Sequence, residues 1–194
     1  MKSKIKLLKS LKFIILFLAV ALVNCERDDI CAEGTSTTPR LLVEFYDATS
    51  PEDLKNVPRL TLYGEGLVLD ENGMETEPTA ASSATLVFNA NVNSAALPLK
   101  IDDGDDNEIV TTTRYILEKD TNLRLDDTGI SNTDIIEIRY ETEFVYVSRA
   151  CGYKGVFKSL SVTRITDEDN WISSINVDVT EIENENTVHV RINH

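Results

Sequence analysis

The longest run of alternating residues in the chain extends from Ile136 to Tyr146. Apolar, aromatic or hydroxyl-bearing side chains occupy its even positions, and charged side chains occupy positions 137, 139, 141 and 143. A period of two places each set on its own face of a β-strand, so that one face can be buried while the charged face contacts water. The pattern therefore predicts a half-buried strand, which needs a second layer of structure to cover its apolar face.

Shorter apolar stretches recur along the chain, separated by turn residues. They lie at 40–47, 59–63, 85–90, 97–101, 109–119, 156–165, 175–179 and 188–192. Ser50-Pro51-Glu52-Asp53 instead has a helix-capping pattern and predicts one or two helical turns that end before Pro58. Eight to ten short strands with almost no helix are typical of an all-β fold, here an antiparallel β-sandwich of immunoglobulin-like or transthyretin-like type.

The first 24 residues have the composition of a signal peptide. Five lysines accompany an apolar run over 13–23, which falls well short of the roughly 20 residues that span a bilayer as a helix. Leu22-Val23-Asn24-Cys25 resembles a bacterial lipobox, although Asn24 departs from the small residue usual before the cysteine. We predict removal of 1–24, a lipid on Cys25, a tether over 25–38 and one β-sandwich domain over 39–194. A plain N-terminal anchor, or a free cysteine after ordinary cleavage, is the alternative.

The residues after Cys25 refine the predicted location. Glu26-Arg27-Asp28-Asp29 resembles the export signal of surface lipoproteins in Bacteroidota, although a solvated tether would have a similar composition. Two or more acyl chains give stable anchoring without a transmembrane segment. We therefore expect the protein at the cell outer membrane, held by its N-terminal lipid and either periplasmic or surface-exposed.

The charge of the processed chain limits its partners. Removal of residues 1–24 leaves 14 basic and 33 acidic side chains, which gives a formal net charge of −19. This charge argues against binding to nucleic acid, whose phosphates require Lys and Arg, and against electrostatic attraction to anionic lipid. It is compatible with cationic partners or divalent ions, and equally with a solvated surface that favours solubility.

The cysteine count suggests a disulfide. If Cys25 carries lipid, Cys31 and Cys151 remain as a pair in an oxidising compartment, and we expect them to bond. The bond would close a loop of more than a hundred residues, which stabilises the fold by roughly 4–5 kcal/mol in the chain-entropy model. Two buried free thiols are one alternative. A metal pair is another, although no C-x-x-C or paired histidine stands nearby. With the disulfide, only residues 26–30 would separate the lipid from the crosslink.

Four aspartates form the core of the densest acidic run, which extends over 102–108. Asp102, Asp103, Asp105 and Asp106 are candidate calcium ligands, because hard cations prefer clustered carboxylate oxygens. The run does not match an EF-hand, since its glycine comes third and no helices are predicted beside it. A hairpin turn accounts for the same residues.

The sequence offers few groups for catalysis. It contains no G-x-S-x-G, no glycine-rich phosphate loop and no H-E-x-x-H. We expect His189 to lie on the polar face of the last strand, in contact with solvent. We expect His194, the last residue, to be frayed. Trp171 is a candidate for stacking on a sugar, with packing at the end of the sandwich as the alternative. We predict no catalytic residue and no cofactor.

Three stretches carry a family resemblance: Cys25–Cys31, Thr38–Asp47 and Ser148–Lys154 resemble an uncharacterised family of Bacteroidota lipoproteins, a domain of unknown function. The resemblance implies a compartment but no activity and no functional residue. It also favours the Cys31–Cys151 pairing, because both cysteines lie in these stretches. We therefore expect a lipid-anchored, non-enzymatic binding module for an envelope protein or glycan. The alternatives are a structural factor in envelope assembly and a hydrolase that uses loop carboxylates.

Overall fold

The computed structural model describes residue 31 and residues 38–101 and 110–194. The chain divides into two compact units. The larger comprises Ser36–Val145 and Lys154–His194, and the smaller includes Cys31 and Tyr146–Tyr153. Within the described residues, no helix is both long enough and apolar enough to cross a membrane.

The described residues form ten strands and one short helix. In chain order these are β1 (Leu41–Asp47), β2 (Ser50–Leu54), β3 (Val57–Gly64), β4 (Thr85–Val92), β5 (Ser94–Leu97), β6 (Val110–Lys119), α1 (Thr121–Leu125), β7 (Asn132–Ser148), β8 (Gly152–Ile165), β9 (Ser174–Val177) and β10 (Val190–Asn193). The prediction of an all-β fold with eight to ten strands is confirmed.

Strand β1 lies inside the first sheet. It pairs in parallel with β10, from Val43 opposite Val190 to Tyr46 opposite Asn193. Its other edge pairs antiparallel with β5 along its first half and with β2 at its end. Strand β9 pairs with the far edge of β10. The β1–β10 pair is parallel, whereas β1 pairs antiparallel with β2 and β5, and β10 pairs antiparallel with β9.

The second sheet has the strand order β4-β3-β6-β7-β8. Strands β6 and β7 pair without a register shift from Val110 opposite Glu141 to Lys119 opposite Asn132. Inward-facing side chains of both sheets belong to one hydrophobic cluster, which includes Phe45 from β1 and Ile138 from β7. This shared core makes the larger unit a β-sandwich.

The helix predicted at Ser50-Pro51-Glu52-Asp53 is wrong, because residues 50–54 form the exposed strand β2. A tight turn directs this segment back along β1. The Asp47 carboxylate accepts hydrogen bonds from both the backbone N–H and the hydroxyl of Thr49, each at 2.7 Å. The turn then pairs Asp47 with Ser50 and Tyr46 with Leu54. Pairing with β1 thus outweighs the local capping signal.

The strand predicted over 97–101 lies earlier in the chain, since β5 ends at Leu97. Pro98 follows at once, and proline has no N–H to donate to a neighbouring strand. The strand predicted over 188–192 also differs slightly, because β10 begins at Val190.

The alternation predicted for Ile136–Tyr146 produces burial only as far as Tyr140. Ile136, Ile138 and Tyr140 are fully buried, whereas Phe144 is 50% exposed and Tyr146 is 54% exposed. The described part of β6 begins at Val110, opposite Glu141. Residues 142–148 of β7 lie beyond the described part of β6, and there the alternation does not correspond to burial.

A buried ion pair joins β6 to α1. The Glu118 carboxylate is 1% exposed and accepts two hydrogen bonds from the Arg124 guanidinium, at 2.6 and 2.8 Å. Arg124 also donates to the carbonyl of Pro78 at 3.0 Å. Burial alone would raise the pKa of Glu118, but hydrogen bonds from Arg124 and Ser131 outweigh it and lower that pKa. One guanidinium thus compensates a buried carboxylate and ties the loop before β4 to the sheet.

We predict that R124A strongly destabilises the protein. The substitution leaves the Glu118 carboxylate buried without its cation, which costs about 3 kcal/mol or more. For a chain of this size, the midpoint of thermal unfolding should fall by roughly 6–12 °C. Circular dichroism during heating would measure the change. R40A is the control, because it removes an exposed pair with Glu185 and should lower the midpoint far less. Equal effects of the two substitutions would contradict the assignment.

Candidate functional site

The predicted disulfide is present, and it joins Cys31 to Cys151, with their Cα atoms 4.9 Å apart. Cys151 lies in the turn between β7 and β8, where its N–H donates to the Ser148 hydroxyl at 3.0 Å. The alternatives of free thiols and of a metal pair are therefore wrong. Cys25, the predicted lipidation site, lies outside the described residues.

The candidate calcium ligands Asp102, Asp103, Asp105 and Asp106 also lie outside the described residues. Elsewhere, among residues that the structure does describe, no group of three or more His, Cys, Asp or Glu side chains could hold a metal ion.

Trp171 packs into the core and is only 9% exposed. Its indole N–H donates to the Leu117 carbonyl at 3.3 Å, and its ring lies 6.5 Å from that of Phe45. This is the alternative given for Trp171, an aromatic side chain within the sandwich. The burial leaves little of the ring for stacking on a sugar.

His189 is buried, not solvated on a polar face as predicted, and only 2% of it is exposed. Its Nδ1 accepts a hydrogen bond from the Leu42 N–H at 2.9 Å, so the proton of the neutral ring sits on Nε2, which lies 3.1 Å from the Asn184 carbonyl. Asn184 belongs to the segment before β10, and this contact covers the ring. Burial lowers the pKa of His189.

His194 is not frayed as predicted. Its backbone N–H donates to the Tyr46 carbonyl at 3.0 Å, and its own carbonyl accepts from the Ala48 N–H at 3.1 Å. Its ring lies edge-on to Trp171, with 5.6 Å between the ring centroids. Both histidines therefore have structural contacts, which explains their positions without a catalytic role.

A charged cleft of about 360 Å³ opens on the second sheet, and we call it the β6–β7 cleft. Among the described residues, the side chains that line it are Glu65, Lys100, Thr112, Arg114 and Glu137. Thr112, Arg114 and Glu137 are the outward-facing neighbours of buried residues on β6 and β7. Period-two alternation therefore places them on the solvent side of the sheet.

Arg114 is the central cation of the cleft. It lies directly opposite Glu137 in the β6–β7 register, and its guanidinium contacts that carboxylate at 2.8 Å. A second carboxylate, Glu65, lies 3.4 Å from the same guanidinium. The Glu65 N–H donates to the Arg114 carbonyl at 3.1 Å, so backbone pairing brings the second acid to the cation. The hydrogen bond that Arg114 donates to Glu137 and the negative charge of Glu65 raise the pKa of Arg114.

Buried hydroxyls fix the backbone of Lys100 beside this pair. The Tyr140 hydroxyl donates to the Lys100 carbonyl at 2.9 Å, and it lies 2.6 Å from the Thr113 hydroxyl. The Lys100 N–H donates to Thr113 at 3.4 Å. The Tyr115 hydroxyl donates to the Pro98 carbonyl on the same segment. The segment after β5 therefore rests on the ends of buried side chains of the second sheet.

The cleft offers an ammonium, a guanidinium, two carboxylates and a hydroxyl within one depression. Both carboxylates contact Arg114, whereas a general acid or base must be free to exchange its proton with a substrate. The arrangement suits recognition of a partner that carries both charge signs. Sequence reasoning missed these residues, because Arg114 and Glu137 are 23 positions apart and only the strand register brings them together.

We predict that His189 makes stability fall in mild acid. Its pKa in the folded protein lies below the ordinary 6.5, so its contribution is present above pH 6.5 and is lost as the pH falls through the folded value. H189N retains an oxygen that can accept from Leu42 but takes up no proton. The stability advantage of the natural protein over H189N should shrink between pH 7.5 and 5.5, by at most about 1.4 kcal/mol per pH unit.

Urea unfolding of both proteins across this pH range measures the difference. Asp134, whose pKa is raised by burial, contributes a trend of opposite sign, but it is present in both proteins and cancels in the comparison. Parallel pH curves for the two proteins would contradict the role given to His189.

A family model matches more than half of the chain. No curated protein and no solved structure matches the chain. A family model described as a family of unknown function, DUF6452, matches residues 76–194, which is 119 of the 194 residues. The match contains Cys151, Arg114 and Glu137, whereas Cys25, Cys31 and Glu65 precede it. The chain therefore belongs to DUF6452, a family of unknown function.

Proposed function

We propose that the protein is a lipid-anchored β-sandwich of the bacterial outer membrane that binds another envelope protein without catalysing a reaction. The observation that carries the binding role is the β6–β7 cleft, where Arg114 stands between Glu65 and Glu137 with Lys100 beside them. The anchoring role rests on the N-terminal sequence and gains support from the disulfide.

The Cys31–Cys151 disulfide supports export of the chain. Disulfides persist in oxidising compartments such as the periplasm and the cell surface, and they are rare in the cytosol. The basic and apolar residues before Cys25 are of the kind that direct a chain to such a compartment. A lipid on Cys25 would then hold the exported protein at the membrane.

A protein partner fits the cleft better than a glycan does. The cleft presents cations and anions side by side, and complementary charges of this kind give specificity and fast association between proteins. Arginine also often contributes a large share of the binding energy at protein interfaces. Trp171, the candidate for stacking on a glycan, is buried in the core.

The other two candidates have less support. A hydrolase would draw on loop carboxylates, and the densest acidic run lies outside the described residues. A role in envelope assembly is a special case of binding another envelope protein, and no described contact favours it separately.

We predict that C25A releases the protein from the membrane. Without the thiol no acyl chain can be attached, so the protein should move from the membrane fraction to the soluble fraction. Fractionation of the native host, with mass spectrometry of the mature N-terminus, measures both effects. The double substitution C31S/C151S is the control, because it should leave the lipid in place. An unmodified Cys25 in the natural protein would end the anchor hypothesis.

We predict that R114A weakens partner binding by roughly tenfold or more, as expected for an arginine at the centre of an interface. Capture from detergent-solubilised membranes, with titration of the bait, measures the effect. R191A is the matched control, because Arg191 also bonds a carboxylate, that of Asp178, but belongs to the first sheet. Absence of any stoichiometric partner for the natural protein would contradict the binding role. Equal capture by R114A and R191A would exclude the cleft.

A further inference from the structure

The smaller unit contains an exposed aromatic pair that the sandwich core does not use. Tyr146 is 54% exposed and Tyr153 is 68% exposed, and their ring centroids lie 5.4 Å apart in an edge-to-face arrangement. Between them lies the turn that contains Cys151, in which Gly152 has a φ of +68°. We call Tyr146–Tyr153 the tyrosine tip.

The disulfide connects this tip to the N-terminal region. Through the backbone, Cys151 is separated from Cys25 by 126 positions, but through Cys31 it is separated from Cys25 by six chain steps and one disulfide. A chain extends by at most about 3.6 Å per residue, so six steps and the 4.9 Å between the Cα atoms of the disulfide can together span at most about 27 Å. A lipid on Cys25 would therefore keep the tip close to the membrane surface.

The residues of the tip suit that surface. Tyrosine is enriched at membrane–water interfaces, because its ring is apolar and its hydroxyl remains hydrated. The tip contains one base, Arg149, and no acid, although the chain as a whole has 33 acidic side chains. The negative net charge of the processed chain opposes contact with anionic lipid. A segment that contacts the membrane should therefore lack acidic side chains.

We propose that the tyrosine tip is a second, non-covalent membrane contact, in which Tyr146 and Tyr153 enter the headgroup layer of the membrane that holds the lipid on Cys25. This inference rests on the proposed anchor. The lipid gives attachment, and the tip gives one segment of the protein a fixed position at the surface. The disulfide is the element that couples the two.

The test uses the full, lipidated chain in vesicles of phosphatidylethanolamine and phosphatidylglycerol, with and without bromine on the acyl chains near the headgroups. Y153W introduces an indole at the tip. I130W introduces one just before the first residue of β7, where the natural side chain is 91% exposed. Trp171 is buried and present in every variant, so the parent protein gives its background. Flotation of the vesicles reports the anchor independently of quenching.

The expected result is that all variants float and that bromine quenches the emission from Y153W but not from I130W. C31S/C151S should still float but lose most of the quenching of Y153W. A flexible Gly/Ser insert of about 20 residues before Cys31, which leaves the fold and the disulfide intact, should reduce that quenching as well.

Three results would overturn the inference. Flotation without quenching of Y153W rejects the tip while the anchor stands. Equal quenching of Y153W and I130W shows contact that is not specific to the tip. Loss of flotation by the parent protein rejects the anchor and, with it, the membrane contact of the tip.

Discussion

The first sheet depends on the burial of β1 between strands from distant parts of the sequence. Leu41, Val43 and Phe45 are at most 1% exposed, and their backbone pairs with β5 on one side and with β10 on the other. His189 adds two hydrogen bonds to this strand. Its ring accepts from the Leu42 N–H, and its backbone N–H donates to the Leu42 carbonyl. The first sheet is therefore complete only when β10, the last strand in the sequence, pairs with β1, the first.

The boundary of the family match acquires a physical meaning from these pairings. The match begins at residue 76, so it includes β4 to β10 and leaves out β1, β2 and β3. Yet β3 lies between β4 and β6 in the second sheet, and β1 lies between β5 and β10 in the first. Without these two strands, the matched region would expose unpaired edges at the middle of both sheets. In this chain the fold needs residues from before the match.

Much of the fold could be predicted, because alternation reports burial directly wherever a strand has neighbours on both sides. It succeeded from Ile136 to Tyr140 and failed at Phe144, where the described part of β6 no longer lies alongside. Every residue of β2 is exposed, so its sequence carries no burial pattern. The capping signal at Ser50 therefore led to the wrong prediction of a helix. His189 was misplaced because alternation describes one strand, whereas its burial comes from the preceding segment that contains Asn184.

The candidate site was far less accessible to sequence reasoning than the disulfide was. The cysteine pairing could be expected on the premise that Cys25 carries a lipid, because that premise leaves only Cys31 and Cys151. A charged cleft could not be expected in this way, because 33 acids offer many equivalent partners for each base. Glu137 and Glu65 are distinguished by their contacts with Arg114, at 2.8 and 3.4 Å. That contact depends on the β6–β7 register and on where β3 ends, and a shift of one residue in either would point these side chains to the opposite face. The geometry of the β6–β7 cleft is therefore a property of strand register, which local sequence patterns do not encode.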